Sequence, residues 1–205
     1  SSMNTIRQPA VAGTFYPARG GELHDMLDTL LAAAPSDGLP APKAMIVPHA
    51  GYIYSGPVAA TGYARLQAVA GSIHRVVVMG PSHRVAFHGL AVPDDSIFRT
   101  PLGDISLDTG AIQALLALPQ VHVDNEAHRL EHSIEVHLPF LQEMLESFTL
   151  VPIVVGDATP REVCDAISML WDGPETLLIM SSDLSHYHDY ETATRLDRAT
   201  SHAIE

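Results

Sequence analysis

An α/β fold, with a largely parallel or mixed central sheet flanked by helices on both faces, is what this sequence predicts, and three observations predict it. Short continuous apolar runs recur at residues 44–47, 74–80, 148–156 and 176–183. Runs of that length and composition fit strands buried on both faces. Stretches of helical periodicity lie between them, supplying the crossovers that parallel strands require. The 46% hydrophobic content of the 205 residues is enough for one core, so residues 1–205 read as a single domain.

Residues 21–34 read as an amphipathic helix, because Leu23, Met26, Leu27, Leu30 and Leu31 fall near helical spacing. The "PSDGLPAP" that follows is a loop by its Pro and Gly content. A strand over 44–47, a helix over 57–67, a strand over 74–80 and a shorter strand over 89–92 come next, and "FRTPLGD" reads as a turn-rich excursion. Asp108 is placed to cap a helix through residue 118, and a strand over 120–123 precedes the polar "DNEAHRLEHS". Ile134, Leu138, Leu141 and Leu145 mark one helical face whose regular part begins near Pro139. "FTLVPIVVG" is a strand, Thr159 or Pro160 opens the next helix, and 176–183 is the last strand. The final "DYETATRLDRATSHAIE" has helical character without a cap or breaker, so the chain reads as cut short there.

Eleven basic residues against 24 acidic ones leave a formal charge of -13, which disfavours nucleic acid and anionic membrane surfaces as partners. No apolar run approaches the about 18 residues that cross a bilayer, and the amino end lacks the blocks of a signal peptide, so a cytoplasmic protein is expected. The single cysteine, Cys164, excludes an intramolecular disulfide and every multi-cysteine zinc pattern. Val163, Ile167 and Leu170 follow helical spacing around it, so it reads as a buried structural thiol.

Twelve histidines are a large share for this length, and three of them occupy equivalent places. His49 in "MIVPHAGYIYSG", His83 in "VVVMGPSHR", and His186 with Asp183 in "LLIMSSDLSHYH" each follow a predicted strand. Loops leaving the carboxyl ends of an open α/β sheet converge over its edge, where ligands bind. Neutral imidazoles with a carboxylate or thiolate in such a cleft suit a metal ion. Gly51, Gly56 and Gly80 let backbone approach a ligand closely, while Pro48 and Pro81 stiffen the turns. Taken singly, each histidine reads as a polar loop residue, and only the shared position after three strands favours a site.

A fourth cluster, "HRLEHSIEVHLPF", carries His128, Glu131, His132, Glu135 and His137. If it is helical, His132 and Glu135 lie about 60° apart around the axis and share a face, whereas His132 and His137 diverge by about 140°. The spacing is not that of an HExxH zinc motif. Orienting a metal ligand or substrate and forming a solvated helix start fit it equally well.

Taken together, "VAGTFYP", "VPHAGYIYSG", "GPSHR", "PLGDISLD", "EHSIEVHLPFL", "VPIVVGD" and "SSDLSHY" resemble the Memo family, known among prokaryotes as AmmeMemoRadiSam system protein B. The match runs in the family's order over nearly the whole chain. The resemblance implies an α/β fold of the class III extradiol dioxygenase type and a mononuclear metal site, with Fe(II) the leading ion and Cu or Zn as alternatives. By motif, His49 and His83 look like two metal ligands. The family's third ligand is a cysteine in a "CG"-containing motif beyond the helix resembling "RLDRATSHAIE"; this chain ends before it, and Cys164 lies in a different element. Asp183 and His186 match residues beside the metal, Tyr54 falls in the metal-proximal loop, and Phe15 stands where some relatives carry tryptophan. Glu131, His132, Glu135 and His137 match the family's acidic, histidine-rich segment.

The first functional expectation is a metal-dependent oxidoreductase of dioxygenase type acting on an unknown small molecule. In it His186, oriented by Asp183, is the acid or base at the substrate oxygen, and Phe15, Tyr54, Arg84, His132 and Glu135 line the pocket. A second is a non-catalytic adaptor with a vestigial pocket that reads peptides, for which Arg84 would supply a local positive group. A third is an accessory partner of AMMECR1-like and radical SAM proteins. A hydrolytic zinc site is a minor alternative, with Glu131 or Glu135 as base.

Overall fold

In the computed structural model, residues 5–35, 38–171 and 173–183 are described. The chain opens with a short strand, β1 (Ile6–Arg7), and the helix α1 (Gly20–Ala33). There follow β2 (Ala44–Pro48), α2 (Tyr52–Ala64), a single 3₁₀ turn (Gln67–Val69) and β3 (Arg75–Pro81). Next come β4 (Leu90–Val92), β5 (Ile97–Thr100), β6 (Gly103–Ser106), α3 (Thr109–Leu115) and β7 (Val121–Val123). Three short helices, α4 (Asn125–Arg129), α5 (His132–Glu135) and α6 (Leu138–Met144), lead to β8 (Thr149–Val155), α7 (Pro160–Leu170) and β9 (Thr176–Ser182).

The central sheet has six strands in the order β2-β9-β3-β8-β4-β7. The first four are mutually parallel, β4 is antiparallel to β8, and β7 is parallel to β4, which makes the sheet mixed. Val76, Val77, Val78 and Met79 of β3 are all buried, as are Leu150, Val151, Ile153 and Val154 of β8. Successive side chains on a strand point to opposite faces, so burial of every one means that both faces are covered. The parallel pairing brings the carboxyl ends of β2, β9 and β3 to one edge, where Pro48 lies beside Ser182 and Met79 beside Met180.

Several local expectations change. The second helix begins at Tyr52, not near residue 57, and takes Pro57 into its interior. The bond that Pro57 removes would have gone to the carbonyl of Ile53, in a first turn exposed enough for water to replace it (Ile53 85% exposed). "FRTPLGD" belongs to a β-hairpin: β5 and β6 pair antiparallel from Ile97 with Ser106 to Thr100 with Gly103, turning at Pro101 and Leu102. The small second sheet adds β1 parallel to β5. The polar "DNEAHRLEHS" contains helices, because Asp124 caps α4 by accepting from the Ala127 amide (3.2 Å), and Glu131 caps α5 by accepting from Ser133 (3.1 Å).

Cys164 is exposed, not a buried thiol. The buried stripe of α7 is Ala166, Ile167 and Leu170, and Cys164 lies about 110° around the axis from its centre. Gly56 does not face a ligand; it sits within α2 against Leu30 of α1, where an added Cβ would press on the leucine. Gly80 does allow a close approach, but by protein: an added Cβ there would collide with the Ser133 side chain, so the glycine lets α5 settle on the end of β3. Thr159 caps α7 in a reciprocal box with Glu162, and Asp108 caps α3 by accepting from Ala111 (3.0 Å). Among the described residues no helix is long and apolar enough to cross a membrane.

Two core histidines contribute to the acid sensitivity of this fold. His128 is buried and donates from Nε2 to the Ala91 carbonyl (2.9 Å); burial, helped by the Arg7 charge, pushes its pKa down to about 4. Burial likewise pushes His137 down to about 3. Because each folded pKa lies below the ordinary histidine value of 6.5, the unfolded chain binds the extra protons between them. The contribution to stability is therefore complete above about pH 6.5 and is lost as pH falls. Urea unfolding at about pH 7 and about pH 5 should differ by roughly 2 kcal/mol from each histidine. His128→Gln, which keeps a donor for Ala91 but cannot charge, should remove its share of that difference. An unchanged pH slope in the variant would mean that His128 takes up its proton as readily in the folded state as in the unfolded one.

Candidate metal centre

Each strand end delivers one side chain. His49 follows β2, its amide continuing the ladder to the Ser182 carbonyl (3.2 Å), and its side chain is almost wholly buried. His83 follows β3 after Ser82, whose amide donates to the Val155 carbonyl (3.0 Å). Asp183 follows β9 and its side chain is exposed. His132 is the first residue of α5, which Gly80 allows to lie against the strand ends. The rings of His49 and His83 have centroids 5.0 Å apart, His49 and His132 5.4 Å, and His83 and His132 4.5 Å. One ligand nitrogen from each lies within 4.8 Å of the others, so His49, His83 and His132 form a group that can hold a metal ion.

Hydrogen bonds fix which nitrogens face inward. The Glu131 carboxylate accepts from the His83 amide and lies 2.8 Å from His83 Nδ1. Burial would raise the Glu131 pKa, but those bonds and the one from Ser133 outweigh it and hold it low, so Glu131 is an acceptor and His83 Nδ1 the donor. For His83 itself, burial works downward and the bond and charge of Glu131 outweigh it, leaving the pKa raised. A neutral His83 then presents a bare Nε2. His49 Nδ1 lies 2.8 Å from the Ser181 hydroxyl, and its Nε2 is also turned inward.

Both Nε2 atoms converge on one oxygen, Asp183 Oδ1, at 2.6 Å from His49 and 3.4 Å from His83. Burial lowers the His49 pKa despite Asp183, and it lowers that of His132 with help from the charges of His83, His49 and Arg84. The two histidine contacts depress Asp183 against the effect of burial. A bare His83 Nε2, the His49 Nε2 and a carboxylate oxygen this close together call for a cation, whether proton or metal, among them. The donor set thus fits a divalent ion.

Of the other residues singled out in the sequence, Phe15 packs on His132 with centroids 4.6 Å apart and the rings tilted by 38°. Phe15 and Tyr54 also line a pocket of about 220 Å³ with Gly13, Met26 and Gly51, so this hollow adjoins the histidine cluster through the Phe15 ring. Tyr54 is 81% exposed there. Arg84 is exposed and acts on His132 through its charge. Glu135 is not brought to the cleft. Its carboxylate accepts from Arg7 Nη1 (2.7 Å), the amides of Ala10 (2.7 Å) and Val11 (2.9 Å), and the Tyr16 hydroxyl (2.7 Å), so it ties the amino-terminal segment to α5. His186 lies outside the described residues. Ser181, Ser133 and Tyr63 stand behind His49 and were not singled out from the sequence, whereas His137, which joins Ser181 to Tyr63, belongs to the fourth cluster.

A second group, His24 and Asp28 of α1 with Glu143 of α6, can also hold an ion by proximity. His24 and Asp28 are more than half exposed, and His24 already contacts both carboxylates. A family profile described as "Memo-like protein" matches residues 7–205. The chain belongs to the Memo family. A MEMO1 family protein of Ignicoccus hospitalis is 40% identical over 210 residues, covering 94% of this chain and 73% of the relative. Its counterpart in Aquifex aeolicus is 37% identical over 204 residues, covering 98% and 74%, and that of Thermotoga maritima is 38% identical over 215 residues, covering 97% and 77%. The mixed sheet flanked by helices is thus the Memo-like fold, and the three-histidine group lies at the edge of it where the parallel strands end.

Proposed function

We propose that the cleft is a mononuclear non-haem metal centre with redox activity of dioxygenase type. Iron(II) is the preferred ion, held by His49 and His83 and completed by His132 or the Asp183 carboxylate. The observation that carries this reading is the convergence of imidazoles from three separate segments, two of them with Nε2 atoms directed at one carboxylate oxygen. A bound iron(II) would supply a path for electrons between a catechol-like substrate and dioxygen.

The chain's own residues do the rest. Glu131 holds the His83 ring by Nδ1 and by the backbone amide, so its orientation does not depend on the ligand. Phe15 covers one face of His132 and separates it from the adjoining pocket, whose largely apolar wall suits a flat ring. Where His132 completes the ligand set, Asp183, exposed at the mouth, is left to accept a substrate hydroxyl proton, with His186 three residues further along as the acid or base.

Anaerobic titration with Fe(II), Zn(II) and Cu(II), followed by oxygen uptake over a panel of catechols, tests the proposal. Saturable binding of a single equivalent and catechol-dependent uptake with the iron form is the expected result. Uptake should fall in Asp183→Asn more than binding does. Tight zinc binding without uptake from any iron form would replace redox chemistry by a hydrolytic centre, and failure to bind all three ions would leave a vestigial pocket.

A further inference from the structure

Resting on the metal-centre reading, we propose that Ser181 is a positioning residue that decides which nitrogen of His49 faces the ion. It does so as the middle of a buried chain formed by Tyr63, His137, Ser181 and His49. A serine hydroxyl has one proton and two lone pairs. The Ser181 proton is committed to the Ser133 carbonyl at 2.6 Å, and a carbonyl cannot donate in return. The other two contacts of Ser181 Oγ, His49 Nδ1 at 2.8 Å and His137 Nε2 at 2.9 Å, must therefore both be N–H donors that fill its lone pairs.

The far end of the chain accommodates the same direction. His137 is fully enclosed, and burial holds it neutral, so it has a single ring proton. With that proton on Nε2, its Nδ1 is an acceptor, and the Tyr63 hydroxyl 2.8 Å away donates to it. Burial pushes the Tyr63 pKa well up, which keeps that donor proton in place. Moving the His49 proton from Nδ1 to Nε2 would require Ser181 to turn its own proton to Nδ1. The oxygens of Ser181 and Ser133, 2.6 Å apart, would then face each other without a proton between them. The lock consequently leaves His49 Nε2 as the nitrogen available to an ion. It also accounts for a serine at 181, where the apolar run of β9 meets the cleft and pairs with Val47, two residues before His49.

The test is imidazole ¹⁵N–¹H correlation spectroscopy on the full chain, metal-free and zinc-loaded, at about pH 8, where an unperturbed imidazole is neutral. In the wild type the metal-free protein should show a proton on His49 Nδ1. Ser181→Ala should lose that preference and bind zinc about 10- to 100-fold more weakly, and Ser181→Thr, which keeps the hydroxyl and suits a strand, should restore both. If Ser181→Ala does not fold, Tyr63→Phe leaves Ser181 in place, and the His137 proton should stay on Nε2, because Ser181 still requires a donor there. A wild-type proton found only on His49 Nε2, an unchanged His49 spectrum in Ser181→Ala, or a His137 proton that moves to Nδ1 in Tyr63→Phe overturns the proposal. The metal-free tautomer does not depend on the ion. A fixed Nδ1–H in a protein that binds no zinc would sink the metal centre while supporting the lock, and equal zinc affinity in Ser181→Ala would do the reverse.

Discussion

Glu135→Ala should destabilise the protein by about 3–5 kcal/mol, the cost of removing one partner from a buried ion pair. The Glu135 side chain is fully buried and that of Arg7 nearly so, and they meet at 2.7 Å. Truncation strands more than the guanidinium. The amides of Ala10 and Val11 and the Tyr16 hydroxyl lose their acceptor too. Arg7 would retain only carbonyls, donating from Nε to His128 (2.8 Å) and from Nη2 to Glu131 (2.8 Å). Against a total stability of roughly 5–15 kcal/mol, such a loss is a large fraction. Urea unfolding of Glu135→Ala, Arg7→Met and the double variant measures it. The double variant should be less damaged than the sum of the singles, because it removes the orphaned charge along with its partner. A loss under about 1 kcal/mol in Glu135→Ala would mean that water replaces the carboxylate and that the amino-terminal segment is not anchored through it.

That role was not legible in the sequence, and the reason is local geometry. Helical spacing puts His132 and Glu135 on one face, yet α5 is a single turn, and within it His132 reaches the cleft while Glu135 reaches β1 and the following loop. An angular argument needs a helix long enough for a face to have meaning. The positions of β3, β8 and β9, by contrast, followed directly from continuous apolar runs, since these strands are buried on both faces. His49, His83 and Asp183 were legible as strand-end residues for the same reason. Glu131 was seen as part of an acidic cluster, but its grip on His83 spans 48 residues and leaves no periodic trace. Ser181, lying inside a predicted strand, could be found only from the proton count at its oxygen.

His49→Ala should weaken binding of a divalent ion by more than about 100-fold, beyond what loss of a supporting residue costs. His49 is the most enclosed of the three imidazoles, and its Nε2 lies closest to the Asp183 oxygen, so no exposed group can swing in to replace it. The effect can be read without any assay of activity. An ion that binds only the folded state at about 100 times its Kd stabilises that state by about 2.7 kcal/mol, so the wild type should unfold at a higher temperature with metal and the variant should not. His132→Ala and Asp183→Asn, measured beside it, decide the third donor: the variant that loses most of the metal-induced shift held the ion, and the other shapes its surroundings. If His49→Ala keeps the full shift, the ion resides elsewhere. The exposed group of His24, Asp28 and Glu143 is then the place to look, and His24→Ala should abolish what His49→Ala did not. If instead the shift vanishes with His49 and survives loss of His24, the stabilising ion is the one held at the strand ends, where the alternation of apolar strand and glycine- or proline-bounded turn first placed it.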